Sequence, residues 1–375
     1  MEFKLIIKKL NNTLSVEEEI IFLKWYNEST SHKDYFNSVK KNYKTDIDYI
    51  DIEKGWLRLQ NSLKARKQKS HYWKYAVAGS VALLITITFL LNKEDNPQIN
   101  TPIIVNNTIE TGTDKATLTL EDGSEVPLEK GMTYQTDNIN SNGEELIYDS
   151  KNESRNEIVY NYLTIPRGGQ FFVQLSDGTQ VWLNSESQLK YPVTFLPGMT
   201  RQVELVYGEA YFDVSPSTEN QDSKFKVLNR NQEVEVLGTE FNIKAYKEEN
   251  VIYTTLVEGE VVISNLDSKQ SLVPNQQSRI HIDTKEISIN EVDVYSETSW
   301  RKGFFSFKSK TLKEIMIVLS RWYDVQVEFE KVELEKVKFN GVLSKRNTID
   351  EILTSIQNTN FINAYEIKDK TITIK

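Results

Sequence analysis

The chain has 375 residues, 26% of them charged, a formal net charge of −9 and no cysteine. The missing thiols exclude disulfide stapling, thiol catalysis and thiolate metal sites, so every domain must be held by burial and hydrogen bonding. Charge is divided unevenly: residues 1–72 hold fourteen Lys and Arg against ten Asp and Glu, a balance of +4, which leaves −13 for the remainder and makes that part no generic binder of nucleic acid.

Taken in chain order, Ser15 and Glu18 form an S-x-x-E capping box, which predicts a helix from Ser15 to about Asn27. Between residues 20 and 26 only Lys24 is strongly polar. A second short helix carries Phe36, Val39 and Tyr43 on one face, and a third carries Ile47, Ile50, Trp56, Leu57 and Leu63. A unit of this size has little interior. The surplus of Ile21, Phe22, Trp25 and Tyr26 on the first helix therefore suggests a surface meant for a partner. The competing reading is an imperfect three-helix core that packs all of them inward.

Tyr75 to Leu91 is an uncharged run of seventeen residues through Leu83 and Leu84. As a helix rising ~1.5 Å per residue it approaches the ~30 Å hydrocarbon core of a bilayer. A buried helix of a soluble domain would usually carry charge on a wet edge, and this run is too internal for a signal peptide. Arg58, Lys64, Arg66, Lys67, Lys69 and Lys74 precede it without an acidic residue among them, whereas Lys93 on the far side is followed at once by Glu94 and Asp95. Positive charge stays inside, so residues 1–72 are expected in the cytoplasm and the bulk of the chain outside the inner membrane, with Trp73 and Tyr75 at the inner interface. Nucleic-acid binding is the weaker use for a basic run that abuts a membrane helix. Residues 93–111, with Pro97 and Pro102 and no sustained period, read as a tether.

Beyond the tether the period becomes two. Residues 116–128 and 171–183 each alternate around an Asp-Gly pair, Asp122-Gly123 and Asp177-Gly178, which predicts hairpins closed by tight primed turns with positive φ at both central residues. Further strand candidates occupy 201–214, 225–246, 252–265 and 272–283. Many short antiparallel strands imply an all-β sandwich, roll or solenoid-like stack, with a duplicated hairpin unit plausible. After residue 299 the pattern changes to strand, helix, strand twice over: 304–307, 311–322 and 325–329, then 337–342, 348–357 and a hairpin around Lys368-Asp369. Two βαβ-like halves imply an α+β sandwich whose strand edges could accept another strand.

No constellation for chemistry emerges. His32, His71 and His281 have no metal-ligand spacing, and Gly168-Gly169 lacks the Lys-Ser/Thr and helix of a phosphate loop, so a turn is its reading. Glu209 and Asp213 share a strand face, but no motif supports glycoside hydrolysis there. The expectation is a non-enzyme without a cofactor or small-molecule substrate.

Residues 162–184, with PRGGQFFVQLSDGTQVWLN at 166–184, then LKYP at 189–192, RQVELVYGEAYFDV at 201–214, VLGTEFNIKAY at 236–246 and TLVEGE at 255–260, resemble the FecR family of transmembrane anti-sigma regulators. The N-terminal L-S-x-x-E with Trp25 and Trp56 resembles that family's cytosolic segment, and W300-x-x-G-x-F-x-F307 with LSRWYDV at 319–325 resembles the C-terminal module of one subgroup. The first hairpin copy is a looser match, with Pro127 where the second has Trp182.

The resemblance implies a multidomain chain: a cytosolic all-α domain (1–72), a transmembrane helix (73–92), a periplasmic linker (93–111), an all-β FecR-like domain (112–298) and a C-terminal α+β docking module (299–375). It further implies an extracytoplasmic-function sigma factor held in the cytoplasm, with Ile21, Phe22, Trp25 and Trp56 as candidate contacts. On the outer side it implies the periplasmic signalling domain of a TonB-dependent outer-membrane transducer, with Phe305, Phe307, Trp322 and Tyr323 as candidate docking residues. The alternative is a membrane-anchored periplasmic binding or scaffolding protein with no sigma-factor partner.

Overall fold

The computed structural model describes residues 9, 14–28, 33, 36, 103–105, 109–149, 158–230, 232–265 and 268–375. The chain divides into two compact units, 1–96 and 97–375. Trp56, the second and third helix cores apart from Phe36, and the membrane run with Tyr75, Leu83, Leu84 and Leu91 lie outside the described residues. Among those described, no helix is long and apolar enough to cross a membrane.

In the first unit, α1 (Val16–Glu28) begins where the capping box predicts. The Ser15 N–H donates to Glu18 Oε2 (3.1 Å) and the Glu18 N–H to Ser15 Oγ (3.2 Å), so two orphan donors of the first turn are satisfied reciprocally. Phe22 and Trp25 form a small core with Leu14, Tyr26 and Phe36. The Phe22 ring lies 5.3 Å from Phe36 and 5.8 Å from Tyr26, centroid to centroid.

The second unit opens with β1 (Ile103–Val105), which falls inside the stretch expected to be a bare tether and corrects that reading. Three apolar residues, two of them Ile-Ile, suffice for a strand once a sheet edge is available to pair with. The β layers then comprise β2 (Thr113–Thr119), β3 (Glu125–Glu129), β4 (Tyr134–Gln135), β5 (Ile139–Ser141), β6 (Glu145–Tyr148), β7 (Tyr160–Ile165), β8 (Gly169–Gln174), β9 (Gln180–Leu183) and β10 (Ser187–Pro192). They continue through β11 (Arg201–Asp213), β12 (Phe225–Asn229), β13 (Gln232–Val236), β14 (Glu240–Ala245), β15 (Val251–Glu258), β16 (Val261–Ser264), β17 (Lys269–Leu272), β18 (Gln276–His281) and β19 (Ile287–Glu291).

Pairing resolves the open choice among β architectures into two layers. One runs β3-β2-β7-β10-β11-β12-β13-β16-β17. The other runs β4-β5-β6-β8-β9-β11-β14-β15-β18-β19. The thirteen-residue β11 belongs to both. It changes layer at Gly208, whose φ of +99° and 2.2 Å approach of a hypothetical Cβ to Ser187 Oγ leave no room for any other residue. Leu118, Leu163, Val173, Val181, Phe212 and Phe241 from both layers share one core.

Both Asp-Gly hairpins form, but not with the primed turn. Only the glycines, Gly123 (φ +83°) and Gly178 (φ +84°), have positive φ. Each Asp instead turns its carboxylate back onto the chain: Asp122 Oδ1 accepts from the Ser124 N–H (2.9 Å) and Asp177 Oδ1 from the Thr179 N–H (3.0 Å). The longer loop with one left-handed Gly leaves the Asp free for this Asx-type bond.

The remainder is α2 (Val294–Thr298), a 3₁₀ turn (Ser299–Lys302), β20 (Phe304–Thr311), α3 (Leu312–Tyr323), β21 (Gln326–Phe329), α4 (Val332–Glu335), β22 (Lys338–Ser344), α5 (Ile349–Gln357), β23 (Tyr365–Lys368) and β24 (Thr371–Ile374). Thr311–Glu314 and Thr348–Glu351 are capping boxes that start the two main helices. The βαβ-like halves do not each build a sheet. Their first strands pair with one another, β20 antiparallel to β22, and their second strands enter a separate sheet of order β1-β23-β24-β21. The exchange wraps α3 and α5 into a single core, with Leu312, Ile315, Leu319, Ile352, Leu353 and Ile372 buried together.

Candidate functional site

A cluster of charged side chains, with Arg321 and Lys345 buried, lies where α3 and its neighbours meet the β layers. The last carbonyls of a helix have no partner within it. Here the loop before β8 supplies the donors. Arg167 Nη2 donates to the Ser320 carbonyl (2.6 Å) and to the Val325 carbonyl (2.9 Å), and the Gly168 N–H donates to the Arg321 carbonyl (2.7 Å). A guanidinium at a helix C-terminus is also favoured by the macrodipole. Pro166-Arg167-Gly168-Gly169 is a turn, as its sequence suggests, and in addition caps a helix more than 150 residues away.

Arg321 answers from the other side. Its buried guanidinium lies 3.4 Å from the centroid of the Tyr246 ring, pairs with Glu248, and donates through Nη2 to Glu249 Oε1 (2.9 Å). Glu186 stands between the two arginines, accepting from Arg167 Nη1 at 3.0 Å with Arg321 Nε at 3.8 Å. Ion pairs this short in partly dry surroundings fix orientation more than they add stability.

Lys345 is the most buried lysine among the described residues of the second unit. Its Nζ donates to Gln170 Oε1 (2.7 Å) on β8 and sits 3.6 Å from the centroid of the Trp322 ring. Burial pushes this amine down to about 7, against the opposing pull of Glu209 and Asp114. An unfolded chain, with an ordinary lysine pKa of 10.5, binds a proton between about pH 7 and 10.5 that the folded chain has released. Stability is therefore expected to rise with pH across that window, by about 2 kcal/mol from pH 7 to 9. Below pH 7 both states are protonated and this contribution no longer changes. Denaturant midpoints at pH 7 and 9 check it: Lys345→Met should flatten the rise, and an unchanged slope in the variant would show that Lys345 is charged in the fold.

Beside these contacts lies a cleft of about 290 Å³ lined by Glu209, Lys244, Trp300, Phe304, Phe305 and Lys310, among others. Glu209 accepts from Asn184 Nδ2 (2.9 Å) and Asn242 Nδ2 (3.0 Å), and Asn242 Oδ1 in turn accepts from Trp300 Nε1 (3.2 Å). Burial raises the Glu209 pKa, moderated by Lys244 and the two amides. Asp213, further along the same face, has Glu240 and Arg301 for charged neighbours. Among the described residues no group of three or more His, Asp or Glu side chains is set to hold a metal.

The four candidate docking residues are buried. Phe305 and Phe307 alternate inward from β20, and Trp322 and Tyr323 end α3 facing the core. Trp322 Nε1 donates to the Lys345 carbonyl (3.0 Å) and the Tyr323 hydroxyl to the Asn347 carbonyl (2.5 Å). Large apolar residues at regular strand or helix spacing mark a core as readily as an interface, and pattern alone does not separate the two for these four. In the first unit, Phe22 (3% exposed) and Trp25 (8%) are likewise core, while Ile21 is 50% exposed. Ile20 (64%) and Leu23 (46%) are exposed as well, and sequence reading passed over both. Arg167, Arg321 and Lys345 were also missed, since nothing local marks a charge that is paired across modules.

Similarity to known proteins was found for this second unit. The family described as FecR protein matches residues 161–262, and that described as FecR, C-terminal matches residues 304–374. Two crystal structures of a candidate anti-sigma factor from Parabacteroides distasonis ATCC 8503, at 1.65 and 2.50 Å resolution, superpose with a TM-score of 0.51 at 27% and 26% identity, covering 57% of this chain and 98% of theirs. No curated protein matches.

Proposed function

This chain belongs to the FecR family, and from that premise we propose that it is a single-pass inner-membrane anti-sigma factor. Residues 1–72 bind an extracytoplasmic-function sigma factor in the cytoplasm, residues 73–92 cross the membrane, and the second unit receives a periplasmic signal from a TonB-dependent outer-membrane transducer. The observation that carries the reading is the succession along the chain of a capped helical unit, a basic run, an uncharged run and two FecR segments. The family is regulatory rather than enzymatic. A reporter active only in the periplasm tests the layout: it should work when fused after residue 110 and fail when fused at residue 68, and the reverse pattern sinks the account.

On the cytoplasmic side, the sigma-factor contact falls to the exposed Ile20, Ile21 and Leu23, in place of Phe22 and Trp25. A purified fragment of residues 1–72 is expected to bind the sigma factor without the membrane. Ile21→Asp should weaken that binding at least tenfold with helix content preserved, since a charge set into an apolar contact is left without a partner. Phe22→Ala should lose helix and binding together. Calorimetry alongside circular dichroism separates the two, and full binding by Ile21→Asp would move the contact off these residues.

On the outer side, docking through the four buried aromatic residues is withdrawn, and the backbone edges of the C-terminal sheet take their place as the transducer's contact.

A further inference from the structure

The outer edge of β23 is already occupied by a strand from a distant part of the chain. β1 pairs with it in parallel, Ile103 opposite Glu366, Ile104 opposite Ile367 and Val105 opposite Lys368. On its inner side β23 is held by β24 along all four residues, from Tyr365 opposite Ile374 to Lys368 opposite Thr371. The rim strand thus rests on three residues and comes from outside the module, whereas the strand beside it is part of a hairpin. Among the described residues β1 is also the first element after the uncharged run, with eleven residues between Leu91 and Ile103. Whatever removes it from the sheet changes the chain on the membrane side.

We infer that the β23 edge is a docking site for an extended strand of the periplasmic partner, and that β1 is its resident competitor. The inference rests on the transducer reading above and adds where the partner binds and what it displaces. An edge that accepts Ile-Ile-Val in parallel register has the geometry to accept another apolar, β-branched strand in the same register, with main-chain bonds giving affinity and alternate side chains giving selectivity. A tethered strand of three residues holds the site by its high effective concentration rather than by a long ladder. An incoming strand that pairs with all four residues of β23, Tyr365 included, replaces it. Docking at the rim is thereby coupled to the segment that leads to the cytoplasm, without any change in the core of the module.

The chain has no cysteine of its own, so an introduced pair reports without interference. Residues paired across neighbouring strands lie within the Cα separation a disulfide bridges. In the full-length protein in detergent, Ile104→Cys with Ile367→Cys should cross-link within one chain on oxidation, and neither single variant should. The probe is a synthetic peptide of residues 101–107, used as the competing strand. It should bind a chain carrying both Ile104→Pro and Val105→Pro, which loses an N–H facing β23 whichever of the two adjacent residues supplies it, at least tenfold more tightly than the wild type. It should not bind the cross-linked chain until reductant is added. Equal binding to all three chains, or none to the double-proline chain, overturns the proposal. Failure of the pair to cross-link, or a cross-link between two chains, overturns it as well. A chain that passes but recovers no sigma factor from membranes keeps its strand site and loses the anti-sigma reading, so the two failures are told apart.

Discussion

Arg201→Leu is expected to destabilise the second unit by about 3–5 kcal/mol, the usual cost of leaving one member of a buried ion pair uncompensated. Arg201 and Asp177 side chains are each 2% exposed and meet at 2.7 Å. The same guanidinium donates to the carbonyls of Ser215 (3.0 Å) and Ser223 (3.0 Å) and lies 5.4 Å from the centroid of Phe225. It thereby ties the second Asp-Gly hairpin to the start of β11 and the loops that follow it. Losing it leaves a buried carboxylate and two carbonyl oxygens without this donor, and desolvated acceptors without donors cost more than the bonds contributed. Removing both charges, Arg201→Leu with Asp177→Leu, should recover part of the loss, although Asp177 also accepts from Thr179 within its own turn. Urea unfolding of the two variants gives the comparison. A double variant less stable than the single by the full cost of a second deletion would mean that the pair is not coupled.

Trp322→Ala is expected to cost a similar amount, about 3–5 kcal/mol, as large-to-small changes of buried aromatic residues do. The ring fills the space over Gly112, where a Cβ would stand 2.6 Å from it, and it carries the Lys345 amine 3.6 Å from its centroid. Its indole N–H is bonded to the Lys345 carbonyl. Truncation opens a cavity at the meeting of α3, the chain before β2 and the loop bearing Lys345, and takes away the nearest of the aromatic faces around that lysine. The result also judges the original docking assignment. A docking residue would lose partner binding with an unchanged unfolding midpoint, whereas a core residue lowers the midpoint first.

Much of the architecture was legible because it is written in local periodicity. Alternation of Leu, Val and Trp around Asp177-Gly178, and the one-face spacing of Ile349, Ile352, Leu353 and Ile356, report strand and helix directly. The capping boxes at Ser15, Thr311 and Thr348 place helix starts to within a residue, because the same Ser or Thr and Glu satisfy the first-turn donors wherever the helix packs. What the periodicity could not report is which strand pairs with which. The exchange of β20 and β21 between two sheets, and the recruitment of Ile103–Val105 to a rim more than 260 residues away, depend on contacts that no local window contains. The site suffered most from the same limit. Phe22, Trp25, Phe305, Phe307, Trp322 and Tyr323 are large, apolar and regularly spaced, and that description fits a core as well as an interface. The exposed Ile20, Ile21 and Leu23 are distinguished from them only by what else packs on α1.

Affinity capture of the full-length chain from native membranes tests the central claim most directly. The account predicts that a sigma factor co-purifies with the wild-type chain in near-equal amount and is depleted at least tenfold with Ile21→Asp. Recovery of envelope proteins alone, with no sigma factor in the wild-type sample, would contradict it and leave a membrane-anchored binding protein in its place.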